Sequence, residues 1–339
     1  MSHRPARLCA LAACLLFGAP LAAAEHEWRL AHYLPENHFF AADWLPAWVA
    51  RVEDATGGRL QITIHSNNEL LRLGDIAPGV AAGHAEIGFG PAPDSAALSV
   101  LGLPFMVDSA HHGTAVAMRL LADGDLDDDM AGLEVAFLQT NAPSLVHTRG
   151  RAVHAPADLE GMRMRGATAG IRALLETLGS EPVEGFLAPQ VYDALRDGHV
   201  DGTVFPYEGM DVFRLAEQLD HHTEVFLFVA ALGLFISADA LAALPPDLRE
   251  AVRAHTGAEM ASDAAAAWDE EERRGRDIAV AAGNEIIAPD RDQYALWREA
   301  AAPYVAERLE RLAASGAGTD ALHARVLDIA ATLRDSAQR

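Results

Sequence analysis

Apolar and polar positions along the first third of the chain alternate with the periods of strands and helices in turn. The predicted strands are WRLAHYL (28–34), RLQITIH (59–65) and AEIGFG (85–90). Helices are predicted from about Asp43 to Ala55, with Pro46 in the first turn, and from Ile76 to Ala82. Strands that alternate with helices in this order pair in parallel and form a doubly wound sheet.

The same alternation returns in the second part of the chain. Its predicted strands are EVAFLQT (134–140), MRMR (162–165), HVDGTVF (199–205) and the very apolar VFLFVAALGLFIS (225–237). Its predicted helices contain Ile171–Leu178, run from Pro189 to Gly198, contain Val212–Leu219, and continue from Pro246 to the end. These patterns predict an α/β fold with two α/β halves that share crossing strands.

The N-terminal residues have the pattern of a secretory signal peptide. Arg4 and Arg7 precede an apolar run from Leu8 to Phe17, and Ala22-Ala23-Ala24 follows, so cleavage is expected after Ala24. A lipoprotein signal ending at Cys14 is the alternative, but its apolar run would be very short. About 315 residues remain, a length typical of two domains.

Composition excludes several classes of function. The net charge is −23 and all 26 basic residues are arginines, which rules out a Schiff-base lysine and a phosphate-loop lysine. Cys9 and Cys14 are the only cysteines, so the mature chain is expected to have no disulfide and no thiol nucleophile. The acidity argues against nucleic-acid binding, and an anionic ligand would need a local cation.

Arg165 is the candidate for that cation. It ends the predicted strand 162–165, and Gly166-Ala167-Thr168 then turns into a helix. Open parallel sheets bind ligands beyond the carboxyl ends of their strands, and an arginine beside a helix N-terminus suits a carboxylate. The alternative is that Arg165 forms a structural ion pair or, like Arg163 on the same face, lies in solvent.

Several motifs resemble the solute-binding subunit of tripartite ATP-independent periplasmic (TRAP) transporters. They are Trp28-Arg29-Leu30-Ala31, Thr56-Gly57-Gly58-Arg59-Leu60, Leu103-Pro104-Phe105, Pro156-x-Asp158-Leu159-x-Gly161-x-Arg163-x-Arg165, and Val191-Tyr192-x-Ala194-Leu195-x-x-Gly198-x-Val200-Asp201-Gly202. The resemblance implies a type II periplasmic-binding-protein fold, in which two α/β domains close on a ligand. It implies that Arg165 binds the ligand's carboxylate through two hydrogen bonds. The expected domains are 25–142 plus about 231–270, and 143–230 plus about 271–339.

The chain also departs from the family pattern. Thr203-Val204-Phe205-Pro206 stands where relatives often have Gln-Glu-Asn-Pro, and Leu145, with Ser144 as the alternative, stands where sialic-acid-type relatives have another arginine. If the residues around Arg165 are apolar, the hydroxyl groups of a bound sugar acid would have no hydrogen-bond partners. Each unpaired hydroxyl would cost roughly 1–3 kcal/mol. We therefore expect a monocarboxylate with an apolar or aromatic body, such as a 2-oxo acid or an aromatic acid. The candidate ligand contacts are Arg165, Phe205, Tyr33, Tyr207, His32, Phe89 and Leu145; for Phe89 and His32, packing in the core is the favoured interpretation.

No residue pattern predicts catalysis, a metal site or a cofactor. The pairs His111-His112 and His221-His222 diverge in any regular element, and Asp201-Gly202 is ordinary turn chemistry. Asp125–Asp129 is expected to be a solvated loop, with calcium binding as the alternative, and Asp269–Arg276 is expected to be a solvated helix face.

We therefore expect a monomeric periplasmic protein that is not an enzyme. It would deliver an organic acid to the small and large membrane subunits of a TRAP permease. Two rivals are a sensor subunit that presents its ligand to a membrane kinase and a periplasmic enzyme acting on a carboxylic acid.

Overall fold

The computed structural model describes residues 24–316 and 319–337. The strands in these residues are β1 (His26–His32), β2 (Leu60–His65), β3 (Ile87–Pro91), β4 (Leu133–Thr140), β5 (Ser144–Thr148), β6 (Arg163–Arg165), β7 (Glu181–Val183), β8 (Gly202–Phe205), β9 (His221–Phe228), β10 (Ala231–Ser237) and β11 (Glu285–Ile287). The helices are α1 (Leu45–Ala55), α2 (Ile76–Ala81), α3 (Ala96–Leu101), α4 (Ala110–Ala122), α5 (Ala169–Thr177), α6 (Val191–Arg196), α7 (Glu208–Val212), α8 (Ala238–Ala243), α9 (Pro246–Arg253), α10 (Ala258–Ala281), α11 (Arg291–Ala314) and α12 (Thr319–Ala337). The predicted signal peptide, residues 1–24, lies outside the described residues except for Ala24.

The first sheet has the strand order β2-β1-β3-β10-β4. β1 pairs in parallel with β2 and β3, as the strand–helix alternation predicted, while β10 is antiparallel to both of its neighbours. Apolar side chains on one face of the sheet pack against α1 and α10, with Trp48, Phe89 and Trp268 among the buried residues. α1 is preceded by a π-helical turn at Phe40–Trp44, so it begins two residues later than predicted.

The second sheet has the strand order β11-β9-β5-β8-β6-β7. β6 lies in the parallel part of this sheet, between β7 and β8, and α5 follows its carboxyl end. β5 is antiparallel to β8 and β9. Arg165 is the last residue of β6, so it lies at the carboxyl end of a parallel strand, where open α/β sheets bind ligands.

In the described residues the chain crosses between the sheets three times, twice in short connections and once through α8, α9 and α10, which lead from β10 to β11. β4 of the first sheet continues into β5 of the second, and β9 of the second continues into β10 of the first. The apolar run 225–237 is therefore two strands and not one, with the break at Val229-Ala230. At this break two hydrogen bonds join Asn141 and Ala230. Ala230 N donates to Asn141 Oδ1 (2.7 Å), and Asn141 N donates to Ala230 O (3.3 Å).

Two further predictions of secondary structure are wrong. The helix expected over Val212–Leu219 is α7 followed by a 3-10 turn at Leu215–Glu217, because Arg214 takes a left-handed conformation (φ 56°) that breaks the helix. The C-terminal region is not helical throughout, since β11 adds an edge strand to the second sheet. The sequence analysis also missed the short strands β5 and β7 and the helices α3 and α4.

We propose that the two sheets with their helices form two lobes, divided as the sequence analysis expected. The first lobe contains residues 25–142 and about 231–270, and the second contains 143–230 and about 271–339. α10 packs on α4 of the first lobe and on α7 of the second, and α12 contacts α3, α4 and α11. In the part of the chain that the structure describes, no helix is long and apolar enough to cross a membrane.

Candidate functional site

Arg165 is a buried arginine without an acidic partner. Its residue is 3% exposed, and no carboxylate of the described residues lies within ion-pair distance of it. Nε donates to Phe186 O (3.1 Å), while Nη1 has no hydrogen-bond partner. Burial lowers the pKa of Arg165 to about 10. Burying a cation without a counter-charge costs free energy, so the terminal nitrogens of Arg165 are suited to bind an anion.

Arg163, two residues earlier, makes the structural ion pair that was the alternative for Arg165. Its Nη2 and Nε bind Asp201 Oδ1 (2.6 Å) and Oδ2 (3.1 Å), and its Nη1 donates to Gly198 O (2.8 Å). Arg163 lowers the pKa of the Asp201 carboxyl. The Arg-x-Arg segment therefore contains one arginine that fixes the turn before β8 and one that has no acidic partner among the described residues.

The turn after Arg165 leads into the N-terminus of α5. Gly166 N donates to Val183 O (3.3 Å), so this amide is used within the sheet. Thr168 caps α5, with its hydroxyl accepting from Ile171 N (3.2 Å).

Phe205 covers the guanidinium of Arg165. The distance from Arg165 Cζ to the ring centroid is 5.5 Å, and Phe205 is 7% exposed. Leu145 is the cross-strand partner of Phe205 and is also buried. Gly209 also packs against this ring, so closely that a Cβ there would lie 2.6 Å from Phe205 Cδ1. An apolar surface therefore lies beside the guanidinium of Arg165, which has no acidic partner among the described residues.

The predicted residues of the first lobe form a separate group. Tyr33 stacks on Phe89 with ring centroids 6.5 Å apart, and Phe89 stacks in turn on Phe40 (4.5 Å), so Phe89 belongs to the core. His32 is 1% exposed, its Nδ1 has no partner among the described residues, and burial lowers its pKa to about 4. In the described part of the chain, no hydrogen bond, ion pair or ring contact joins these residues to Arg165.

Tyr207 points into the second lobe. Its hydroxyl donates to Glu224 Oε1 (3.4 Å), and its ring lies 5.2 Å from His147 and 5.5 Å from His222. Burial raises the pKa of Tyr207. These contacts all lie within the second lobe, and none of them involves Arg165.

A buried histidine pair lies in the same row of the second sheet as Arg165. The strand register aligns Arg165, Thr203, His147 and His222 across β6, β8, β5 and β9. His147 Nε2 donates to Phe205 O (2.8 Å), which leaves its Nδ1 to accept from His222 Nδ1 (2.6 Å). Burial lowers the pKa of both rings, to about 4 for His222. The pair thus holds the backbone of Phe205, and no sequence pattern had singled out His147.

One contact between the lobes was also missed. His38, in the loop after β1, has Nε2 3.3 Å from Oε2 of Glu208 at the start of α7, and both side chains are buried. Asn37 Nδ2 donates to Val212 O (3.4 Å) beside it. None of these residues lies in a sequence motif, so the sequence did not indicate that they are in contact.

The comparisons with known proteins agree with this architecture. The model of the DctP family, bacterial extracellular solute-binding protein family 7, matches residues 30–312. The chain belongs to this family. Its members are the solute-binding subunits of TRAP transporters, receptors that do not catalyse reactions. The expected α/β class with a type II periplasmic-binding-protein fold is confirmed.

Several solved TRAP solute-binding proteins are similar over nearly their whole length. One from a marine metagenome, from an unidentified microbe and described as specific for aromatic acid ligands, is 25% identical, with a TM-score of 0.81 over 91% of this chain and 99% of that chain. One from Rhodoferax ferrireducens, in complex with copurified benzoate, is 23% identical (TM-score 0.80, 92% and 99% covered). One from Bordetella bronchiseptica, with bound mandelate, is 23% identical (TM-score 0.78, 91% and 99% covered). The chain has no significant match among curated protein sequences.

Several other titratable residues that the sequence analysis considered in this TRAP solute-binding protein have structural partners. His221 contacts Glu285 (3.0 Å) while His222 contacts His147, so these neighbours diverge as expected. His112 lies 2.9 Å from Asp108 Oδ1. Asp125 pairs with Arg325 (2.8 Å), and no group of three or more possible metal ligands occurs in the described residues.

The segment Asp269–Arg276 is not simply a solvated face, as had been expected. Asp269 accepts from Ala110 N (2.7 Å) and His111 N (3.0 Å) at the start of α4. Arg276 pairs with Glu224 (2.6 Å), and Gly275 packs directly on the backbone of Tyr207. The middle of α10 therefore joins both lobes.

Proposed function

We propose that this TRAP solute-binding protein captures an organic monocarboxylate with an aromatic or apolar body. Arg165 would bind the carboxylate as the two lobes close, and the closed protein would deliver the ligand to the membrane permease. The observation that carries the proposal is the buried guanidinium of Arg165, which lies under Phe205 and has no acidic partner in the part of the chain that the structure describes.

The geometry of Arg165 suits a carboxylate better than a neutral group. Nε is already bonded to Phe186 O, so Nη1 and Nη2 remain for a ligand. A carboxylate can accept from both in a paired arrangement and neutralise the buried charge at the same time.

The surroundings of Arg165 favour an apolar or aromatic body. Phe205 and Leu145 offer carbon surface but no hydrogen bond from their side chains, so each buried ligand hydroxyl beside them would cost roughly 1–3 kcal/mol. The relative that is specific for aromatic acid ligands, at 25% identity, supports the same class. We expect an aromatic acid to bind more tightly than a polyhydroxy acid.

The periplasm is the proposed location. The family is extracytoplasmic, and the residues 1–24 have the pattern of a signal peptide. The small and large permease subunits are the proposed partners, and we expect the receptor to be a monomer.

Native mass spectrometry of the purified mature protein, followed by calorimetry, tests the proposal. The acids are benzoate, mandelate, a 2-oxo acid, succinate and glucuronate. We expect a monocarboxylate with an apolar or aromatic body to bind most tightly and to raise the melting temperature. Tightest binding of succinate or glucuronate would contradict the ligand class, and binding of no acid would contradict the role of Arg165.

A further inference from the structure

The carbonyl group of Phe205 lies where regular backbone pairing in the second sheet ends. Phe205 is the last residue of β8, and Pro206 after it has no N–H group. Beside it, the pairing of β5 with β9 shifts its register between Ser144 and Val146. A side chain supplies a hydrogen bond at this point, because His147 Nε2 donates to Phe205 O (2.8 Å).

The hydrogen bonds of His147 determine which of its ring nitrogens carries the proton. Phe205 O can only accept, so the hydrogen is on Nε2. Burial lowers the pKa of His147, so the ring is neutral near neutral pH and Nδ1 keeps its lone pair. That lone pair accepts from His222 Nδ1 at 2.6 Å. Both ring nitrogens are therefore bonded, and the ring cannot turn without breaking one of the two bonds.

The histidine pair is fully enclosed. His147 and His222 are both 0% exposed, and the ring of Tyr207 lies 5.2 Å from the first and 5.5 Å from the second. A buried carbonyl that loses its donor loses free energy, because water is not at hand to replace the bond. The bond from His147 to Phe205 O therefore constrains the backbone more strongly than a bond on the surface would.

The backbone of Phe205 sets the position of its ring relative to Arg165. Arg165 is held in β6, where it pairs with Thr203 of β8, and its Cζ lies 5.5 Å from the centroid of the Phe205 ring. Gly209 packs against the same ring. A displacement of the Phe205 carbonyl would thus move the ring relative to a guanidinium that the sheet keeps in place.

We propose that His147 is a positioning residue of the ligand site, which fixes the ring of Phe205 beside Arg165, and that His222 supports it by holding the His147 ring in the tautomer that donates to Phe205. This inference rests on the proposed function and deepens it, because it assigns what keeps the apolar surface of that site in place. His147 acts through Phe205 and not by touching the ligand. An aromatic ligand body that packs on Phe205 binds more tightly while this hydrogen bond is made.

The first experiment measures the tautomer of His147 in the ligand-free natural protein. Nitrogen NMR of the imidazole rings distinguishes a proton on Nε2 from one on Nδ1, and the carbonyl carbon shift of Phe205 reports the hydrogen bond. At neutral pH we expect the proton on Nε2, and a carbonyl shift that changes in His147→Leu and returns in His147→Gln. A proton on Nδ1 would overturn the inference.

The second experiment compares the affinity for benzoate by calorimetry. His147→Leu removes the donor, so the Kd should rise roughly 10-fold, since the Phe205 carbonyl is left without a partner. His147→Gln places an amide N–H near the position of Nε2 and should bring the Kd back to within about 3-fold of the natural value. His222→Leu keeps the bond to Phe205 but leaves Nδ1 of His147 unpaired, so a rise of about 3-fold is expected.

The control removes a different buried hydrogen bond from the same strand. Thr148 is 1% exposed, and its hydroxyl donates to Arg151 O (2.7 Å). Thr148→Val should lower the melting temperature, as His147→Leu does, but leave the Kd for benzoate within about 2-fold of the natural value. Equal changes of Kd in the two variants would show that His147 has only a structural role. If His147→Leu does not fold, His147→Asn, whose amide lies near the position of Nδ1 and not of Nε2, takes its place.

The outcomes separate this inference from the proposed function. If benzoate binds the natural protein and His147→Leu equally well, the role of His147 is overturned while the proposed function stands. If none of the acids binds the natural protein, the proposed function falls, and the carbonyl shift of Phe205 alone decides whether His147 positions this residue. A carbonyl shift that is the same in His147→Leu as in the natural protein overturns the inference in either case.

Discussion

The guanidinium of Arg165 and the ring of Phe205 are in cation–π contact, with 5.5 Å between Cζ and the ring centroid, and both residues are buried. Such a contact is worth about 2 kcal/mol when desolvated, which offsets only part of the cost of burying a charge. The protein therefore holds Arg165 at an energetic cost that a bound carboxylate would relieve.

Replacing Arg165 by methionine is expected to abolish binding and to preserve the fold. Loss of one partner of a buried ion pair costs about 3–5 kcal/mol, so the Kd for the ligand should rise roughly 10²- to 10³-fold or more. The unliganded variant should melt at the same or a higher temperature, because methionine fills much of the same volume without a buried charge. Calorimetry and thermal denaturation measure the two effects.

Arg163→Met is the matched comparison for Arg165→Met. It removes the contacts to Asp201 and Gly198, so it should lower the melting temperature while leaving a smaller effect on ligand affinity. An Arg165→Met protein that binds the ligand as tightly as the natural protein would refute the assignment of the site.

Phe205→Asn is expected to change the ligand preference. The amide offers hydrogen bonds where the ring offered apolar surface, so the affinity for benzoate should fall about 10-fold relative to that for glucuronate. Phe205→Leu keeps the apolar surface and should leave this ratio nearly unchanged. Competition binding gives the ratio directly, and equal ratios in both variants would show that Phe205 does not select the ligand.

The buried histidines predict a loss of stability in weak acid. A histidine with a lowered folded pKa contributes stability that is present above its unfolded pKa of about 6.5 and is lost as the pH falls toward the folded value. For His222 the folded pKa is about 4, so the window lies between about pH 6.5 and 4. The slope is at most about 1.4 kcal/mol per pH unit for each histidine.

His222→Asn should flatten this pH dependence, because asparagine can still donate to His147 but does not titrate. Urea denaturation at several pH values between 7 and 4 measures the slope, and the difference from the natural protein isolates the histidine from buried acids such as Glu272, whose raised pKa acts in the opposite direction. Identical slopes in the two proteins would mean that His222 is not buried as a neutral ring.

Gly275→Ala is expected to destabilise the junction between α10 and the second lobe. The new methyl group would overlap the carbonyl of Tyr207, which is backbone and cannot turn away. Overpacking of this kind costs roughly 1–3 kcal/mol or more. Gly74→Ala, where a Cβ meets nothing within 4 Å, is the control and should leave the melting temperature nearly unchanged. If Gly275→Ala melted at the same temperature as the natural protein, α10 and the segment around Tyr207 would have to move apart locally.

Local patterns in the sequence predicted the elements that have strong apolar periodicity. β2 and α5 follow directly from such patterns, and Arg165 follows from the position of β6 before a turn and a helix. Family motifs then identified the architecture. These signals come from residues that are close together in the sequence, so they can be recognised without the tertiary structure.

The missed features depend on contacts between distant residues. The break at Val229-Ala230 is set by bonding to Asn141, and the partners of Glu208 and His147 come from other strands and helices. The three-residue strands β7 and β11 contain too few residues to show a period. Arg163 and Arg165 look alike in the sequence, and only Asp201, 38 residues away, distinguishes them.

The position of β10 between β3 and β4 affects the order in which the chain can fold. The first sheet lacks an inner strand until residue 237 has been synthesised, although β4 already ends at Thr140. Pairing over such a sequence separation forms slowly, because the loop must close before its contacts stabilise it. The first sheet therefore cannot be completed until more than two thirds of the chain has been synthesised.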